Sequence, residues 1–177
     1  MKVLTAQVRL AKAEDIESIR ALEIEAFGFT WEHEVFLKEL QRPDCLFTVA
    51  QVQEEAVGMA SLNWILDEVH LMSIAVAPEW RGKGLARQLL GENLAFCQLL
   101  DLRWMTLEVK WDNPPALALY KSYGFTTVGK RKKYYRDGQD ARIMWSSPLT
   151  EERYQESLSG YREAARGLHQ QWSSSRP

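Results

Sequence analysis

Cysteine and histidine are scarce in this chain. Among 177 residues only Cys45 and Cys97 are cysteines, without CxxC spacing, and His33, His70 and His169 lie far apart. This excludes a disulfide framework and predicts no metal site. Long apolar runs are missing as well. None approaches the roughly 20 residues that cross a bilayer, and the opening Met1 to Asp15 has no signal-peptide core. A cytoplasmic protein with no membrane partner is expected. Neither sign of charge dominates: 22 basic residues stand against 24 acidic ones, for a net charge of -2 and a pI near 6.0. A dedicated nucleic-acid binder would be basic, so no direct nucleic-acid partner is expected. What is abundant is core-forming material, with 46% apolar and 11% aromatic residues. That is enough for one folded domain.

The order of the periodic segments predicts a mixed α/β fold. Val3 to Leu10 alternates as a strand. Ile16, Ile19, Leu22 and Ile24 suggest a helix with an apolar face that ends near Ala26. A second helix is expected from Trp31 to Leu40, with Thr30 as its cap. Strands follow at Leu46 to Gln53, Ala56 to Leu66 and Val69 to Val76. A glycine-rich turn then leads into a long amphipathic helix marked by Leu85, Leu89, Leu90, Leu94 and Leu100. A strand at Trp104 to Lys110, a short helix from Pro114 to about Tyr123, and a hairpin of Thr126 to Tyr135 with Gln139 to Ser146 complete residues 1–149. In residues 150–177, Tyr154, Leu158, Tyr161, Ala165, Leu168 and Trp172 recur every three or four positions. They predict one amphipathic C-terminal helix with a frayed end at Ser173 to Pro177.

Three places in this order can carry chemistry, and each has an ordinary structural explanation beside it. Arg81-Gly82-Lys83-Gly84-Leu85-Ala86 stands between a strand and a helix. Unpaired N–H groups and the helix dipole suit a diphosphate there, and glycines let it approach the main chain. It matches neither GxxxxGK[ST] nor GxGxxG, and a glycine turn that only starts a helix would look the same. Asn113 and Tyr120 are seven residues apart, which returns to within about 20° of one helical face, so they can address one ligand. Alternatively, Asn113 before Pro114 is a helix cap and Tyr120 a core aromatic. Glu108 alternates out of step with Met105, Leu107 and Val109, either toward a site or toward solvent. The basic run Lys130 to Lys133 reads as a solvated edge strand.

Taken together, the strand, the Arg81 to Ala86 turn, the long helix, the carboxylate strand, Asn113 with Tyr120, and Tyr123-Gly124-Phe125 resemble the GNAT acyl-CoA N-acyltransferase superfamily. Leu107 to Lys110, Ala118 to Phe125, Arg131 to Tyr135, Asp140 to Met144 and Phe29-Thr30-Trp31 are similar to the bacterial ribosomal-protein-alanine N-acetyltransferases within it. The resemblance covers roughly residues 6–148. It implies a twisted, mostly antiparallel mixed sheet flanked by helices, and acetyl-CoA as co-substrate with no metal. It implies that Ile74, Ala75 and Val76 pair with the pantetheine arm, that the amides of Arg81, Gly82, Lys83, Gly84, Leu85 and Ala86 hold the diphosphate, and that Asn113 bonds the pantetheine. Glu108 is then the base, Tyr120 the acid, and Phe29, Trp31, Tyr134 and Tyr135 line a groove for the acceptor. That acceptor is a protein N-terminus, as on a small-subunit ribosomal protein beginning with alanine. A family member that acetylates lysine or a small amine, or a non-catalytic CoA-binding, ribosome-associated module, are the alternatives.

Overall fold

The computed structural model describes residues 6–175. Of the first expected strand, residues 3–5 lie outside that range, and Gln7–Leu10 forms β1. The remaining strands are β2 (Cys45–Val52), β3 (Glu55–Ile65), β4 (Glu68–Val76), β5 (Trp104–Lys110), β6 (Thr126–Arg131) and β7 (Ala141–Trp145). The helices are α1 (Ile16–Phe27), α2 (His33–Glu39), α3 (Leu85–Leu99), α4 (Pro114–Ser122), α5 (Glu152–Ser157) and α6 (Arg162–Ser174). One seven-stranded sheet has the order β1-β2-β3-β4-β5-β7-β6. Every pairing is antiparallel except β4 with β5, the two strands joined through α3.

The sheet divides the core in two. On one side Val69, Leu71, Met105, Leu107 and Val109 pack with Leu89, Leu90, Leu94 and Phe96 of α3 and with Ala165 and Leu168 of α6. On the other, Ile16, Ile19 and Leu22 of α1 and Phe36 of α2 cover Phe47, Val49, Met59 and Ala75. Such two-sided cover is what the strands' apolar runs require.

Two features of β4 shape the site. Ser61 pairs with Ser73 but Leu62 with Leu71, so Met72 is an extra residue, a β-bulge. The parallel ladder to β5 ends at the Leu71–Leu107 pair. Beyond it β4 continues against β3 alone while β5 continues against β7, so the sheet parts between them.

Four expectations are corrected. Ile24 is 52% exposed; at 100° per residue it falls on the far side of α1 from Ile16, Ile19 and Leu22. Glu32, not Thr30, precedes the second helix. The late strands are shorter than their pattern, because Lys133 takes φ +48 and its amide donates to Asp140 Oδ1 at 2.8 Å, leaving residues 132–140 as a loop. The C-terminal stripe is two helices. A 3-10 turn at Ser159–Tyr161 breaks it, where serine and glycine are weak helix formers, and the bend lets both Leu158 and Leu168 reach the core. Ser173 and Ser174 remain helical, and Arg176 and Pro177 of the expected frayed end lie outside the described residues.

Candidate active site

At the end of β4 the chain turns through Pro78–Trp80 into Arg81 to Gly84 and starts α3 at Leu85. The first backbone bond of α3 runs from Gln88 N to Gly84 O at 3.0 Å. Among the described residues the amides of Gly82 to Arg87 therefore have no acceptor. Gly84 holds φ +84, and a Cβ built on it meets nothing within 4 Å. The cradle is open and lined by donors at the positive end of a 15-residue helix, which suits an anion of diphosphate type. Arg81 is corrected from that role: its amide donates to Pro78 O at 3.2 Å, its Nε donates to Val76 O at 2.9 Å and its guanidinium pairs with Glu25 of α1, clamping the loop to the sheet.

The open edge of β4 supplies further main-chain groups. Ala77 N donates to Val57 O at 2.9 Å, so alternation turns Ala75 and Ser73 toward β3 and leaves Ile74 and Val76 facing the gap. A linear amide-bearing arm can pair with that edge as an added strand would.

Glu108 lies one residue past the last β4–β5 pair. Its side chain is only 7% exposed, so it is not a solvated strand residue. His70 Nε2 is 2.7 Å from its Oε2 and Arg131 Nη2 is 3.1 Å from its Oε1. The hydrogen bond from His70, then the charges of His70 and Arg131, hold the carboxyl below its ordinary range against the opposing effect of burial. His70, Ser73 and Glu108 share the α1/α2 face, because the Met72 bulge resets the alternation of β4.

Tyr120 of α4 is 5% exposed and packs on Phe125, with ring centroids 5.8 Å apart. Burial raises its phenol well above the ordinary value, with the neighbouring Tyr135 adding to the rise. Among the described residues its hydroxyl has no hydrogen-bond partner. Tyr120 is thus a core aromatic whose hydroxyl keeps its hydrogen-bonding capacity unspent. Asn113 is the α4 cap, its Oδ1 accepting from Ala116 N at 3.3 Å. Its amide Nδ2 makes no hydrogen bond among the described residues.

Two aromatic loops stand near Glu108. Tyr134 and Tyr135 stack edge to face at 5.2 Å, Arg131 lies 5.4 Å from the Tyr134 ring, and burial lifts both phenols while the Glu108 charge adds to the effect. Across from them Phe29 and Trp31 are partly exposed, and Arg136 spans the two loops by sitting 4.6 Å over the Phe29 ring. Trp31 leans on Phe36 at 5.6 Å. The structure so brings Tyr134 and Tyr135 to Glu108 and Tyr120 to Tyr135, and joins Phe29 to the same loop through Arg136, while Trp31 packs on Phe36 of α2. The Gly82 to Ala86 cradle and Asn113 stand apart from that cluster, at the ends of β4 and β5. His70 and Arg131 escaped the residue types because their meeting with Glu108 depends on strand pairing; the alternation of β4 was the one available hint.

The cysteines take no part. Cys45 is pushed up to about 12, first by burial and then by its hydrogen bond to Glu39. Burial alone raises the Cys97 thiol further, so neither offers a thiolate. No group of three His, Cys, Asp or Glu side chains able to hold a metal exists among the described residues.

Comparison with known proteins meets this geometry. A [ribosomal protein bS18]-alanine N-acetyltransferase of Escherichia coli (strain K12) is 30% identical over 138 residues, covering 77% of this chain and 93% of its own length. The N-alpha-acetyltransferase RimI of Mycobacterium tuberculosis is 34% identical over 149 residues, 79% of this chain and 92% of its own. The crystal structure of the Escherichia coli ribosomal-protein-S18-alanine N-acetyltransferase superposes with a TM-score of 0.74 at 29% identity, over 83% of this chain and 96% of that one. The parted strands and the amide cradle lie within residues 16–125, the span matched by the family model, and on that match the chain belongs to the acetyltransferase (GNAT) family.

Proposed function

We propose that this chain transfers the acetyl group of acetyl-CoA to the free N-terminal α-amine of a protein, with a ribosomal protein that begins with alanine as the natural class of acceptor. The observation that carries the reading is the parting of β4 from β5 directly beside Glu108. It leaves a slot with main-chain groups on one wall, an ionised carboxylate at its base and aromatic loops at its mouth. The kinship with N-terminal alanine acetyltransferases, described above, supports the choice of acceptor.

The residues fit acetyl-CoA on this structure's own terms: a donor-rich, open cradle for the diphosphate and a strand edge for the pantetheine amides. When bound, the co-substrate supplies an activated acyl carbon. Glu108 is ionised at neutral pH and accepts the amine's proton, directly or through water. His70 and Arg131 orient its two oxygens. Tyr120, kept protonated by burial, presents a hydroxyl to the leaving group. Val76 and Ile74 offer preorganised N–H groups to developing negative charge on oxygen. Asn113 would contribute its Nδ2 while its Oδ1 stays in the cap. No side chain forms a covalent bond, and no metal is required.

Amine chemistry favours the N-terminus over lysine. With pKa near 7.7–8.0 about a quarter of an α-amine is neutral at pH 7.4, against roughly 0.1% of a lysine with pKa near 10.4. Site of action is proposed to be the cytoplasm, where ribosomal proteins are made; no helix among the described residues is long and apolar enough to cross a membrane.

Turnover of acetyl-CoA on a panel of short peptides tests the reading. Peptides with a free N-terminus should react, best with a small first residue such as alanine, and lose reactivity when that terminus is blocked. Equal rates on blocked, lysine-containing peptides or on small polyamines would replace it with a lysine or small-amine acetyltransferase. Absence of turnover with any amine, alongside CoA binding, would leave a binding module.

A further inference from the structure

Glu23 of α1 has no part in the chemistry above, yet it lies half-buried between the 28–32 loop and β4. Its Oε2 accepts from Thr30 Oγ1 at 2.7 Å and its Oε1 from Ser73 Oγ at 3.0 Å. Ser73 Oγ meets Ser61 Oγ at 2.7 Å. Because a carboxylate only accepts, the polarity of the relay follows: Ser61 donates to Ser73, and Ser73 and Thr30 donate to Glu23. One end of the relay is the loop 28–32 that carries Phe29 and Trp31. The other is the first residue of β4 after the Met72 bulge, where the strand leaves β5.

The other ties of that loop lead elsewhere. Arg20 Nε donates to Trp31 O at 3.0 Å from α1, the Trp31 ring rests on Phe36 of α2, and Arg136 reaches Phe29 from the β6–β7 loop. Among the described residues, the hydrogen-bonded link from this loop to the open strand runs through Glu23. Stability does not explain it. Burial works against the charged form, and only neutral hydroxyls answer it, so the net gain over an apolar residue of similar volume is small. A spacer of fixed length between loop and strand does explain it.

We propose that Glu23 is a positioning residue: it sets the height of the Phe29–Trp31 loop over the open edge of β4, and through it the fit of the acceptor's first residue. This rests on the reading of the slot as an amine-acetylating site. Groups that hold an acceptor at a defined distance act on its binding rather than on the chemistry of the donor.

The test uses the full chain with Glu23→Ala, Glu23→Gln, Thr30→Val and Ser73→Ala. Amide hydrogen exchange across residues 28–32 is read in the absence of substrates, and kcat and both KM values are read with alanine-, serine- and leucine-initiated peptides. Glu23→Ala and Thr30→Val should speed exchange in the loop and raise the peptide KM about tenfold, the loss of a hydrogen bond to a charged group. The KM for acetyl-CoA should stay within about twofold, and the preference among first residues should flatten. Glu23→Gln, which keeps the length and one acceptor oxygen, should recover most of the peptide KM. Unchanged loop exchange, or equal rises in both KM values with a lowered melting temperature, would overturn the proposal. Thr30→Val leaves Glu23 in place and decides the matter if Glu23→Ala does not fold. If the wild-type chain acetylates no peptide, the functional reading falls, while the exchange data still decide whether Glu23 holds the loop.

Discussion

Glu108, the proposed base, is held in its ionised form by two neighbours. The hydrogen bond from His70, with the charges of His70 and Arg131, lowers its pKa, so any stability the group contributes is present above its unfolded value near 4.3 and is lost as the pH falls through the lower folded value. Between pH 6 and 9 the carboxylate does not titrate. The rise of kcat/KM with pH in that range should therefore follow the α-amine of the peptide, with a midpoint near 7.7–8.0. Glu108→Gln keeps the shape of the side chain and removes the base. Its rate should fall about 10²-fold or more at pH 6, where the amine is mostly protonated and needs a base, and the deficit should shrink above pH 8. The pH dependence of kcat/KM checks this, and an unaltered profile would leave Glu108 as a structural partner of His70 and Arg131. At this scale the sequence singled out Glu108 and Tyr120 as candidates through spacing and motif. It hid His70, Arg131 and Glu23, because each acquires meaning only from a contact across strands or from a helix to a strand.

At the scale of elements, the turn at residues 81–84 is the clearest case of local sequence deciding local structure. Gly84 holds φ +84 at the start of α3, a conformation that costs other residues about 1–2 kcal/mol. A Cβ there meets no protein atom within 4 Å; the space it would fill is the space proposed for the diphosphate. Gly84→Ala should thus lower the melting temperature by only a few degrees while weakening CoA binding about tenfold or more, as isothermal titration would read. Unchanged affinity would refute the cradle. The strand that feeds this turn was legible from its apolar run, and β5 was legible to the residue, because buried strands announce themselves by composition. The bulge at Met72 and the parting of β4 from β5 were not. Nothing in Leu71-Met72-Ser73 distinguishes a bulged strand from a regular one, and only the register with β3 and β5 creates the slot. The break in the C-terminal stripe escaped for a related reason: a three-and-four spacing survives a short 3-10 turn, so periodicity alone does not see it.

The whole molecule extends the family body with a segment that is not an appendage. The family match ends at residue 125, but α5 and α6 return across α3 and close the face opposite α1 and α2. Tyr154, Leu158, Ala165 and Leu168 are buried in the same cluster as Leu90, Leu94 and Phe96. Trp172 packs edge to face on Phe96 at 5.7 Å and against Trp64 of β3 at 5.9 Å. Tyr154 Oη donates to Tyr123 O at 2.7 Å, beside the end of α4. Gly91 makes the approach possible: a Cβ there would come within 2.4 Å of the Tyr161 ring. The segment stabilises the helix whose N-terminus is the cradle, without touching the slot itself. Leu168→Ala should then cost about 2–5 kcal/mol through lost burial and a residual cavity. For a chain of this size that is a fall in melting temperature on the order of 5–15 °C. Because Leu168 is buried in the core cluster on the α3 side of the sheet, both KM values should be unchanged well below the transition, which separates a stability role from a substrate role. A fall of less than about 2 °C would make the tail peripheral to the fold. A raised KM for the peptide at full foldedness would instead make it a wall of the acceptor site.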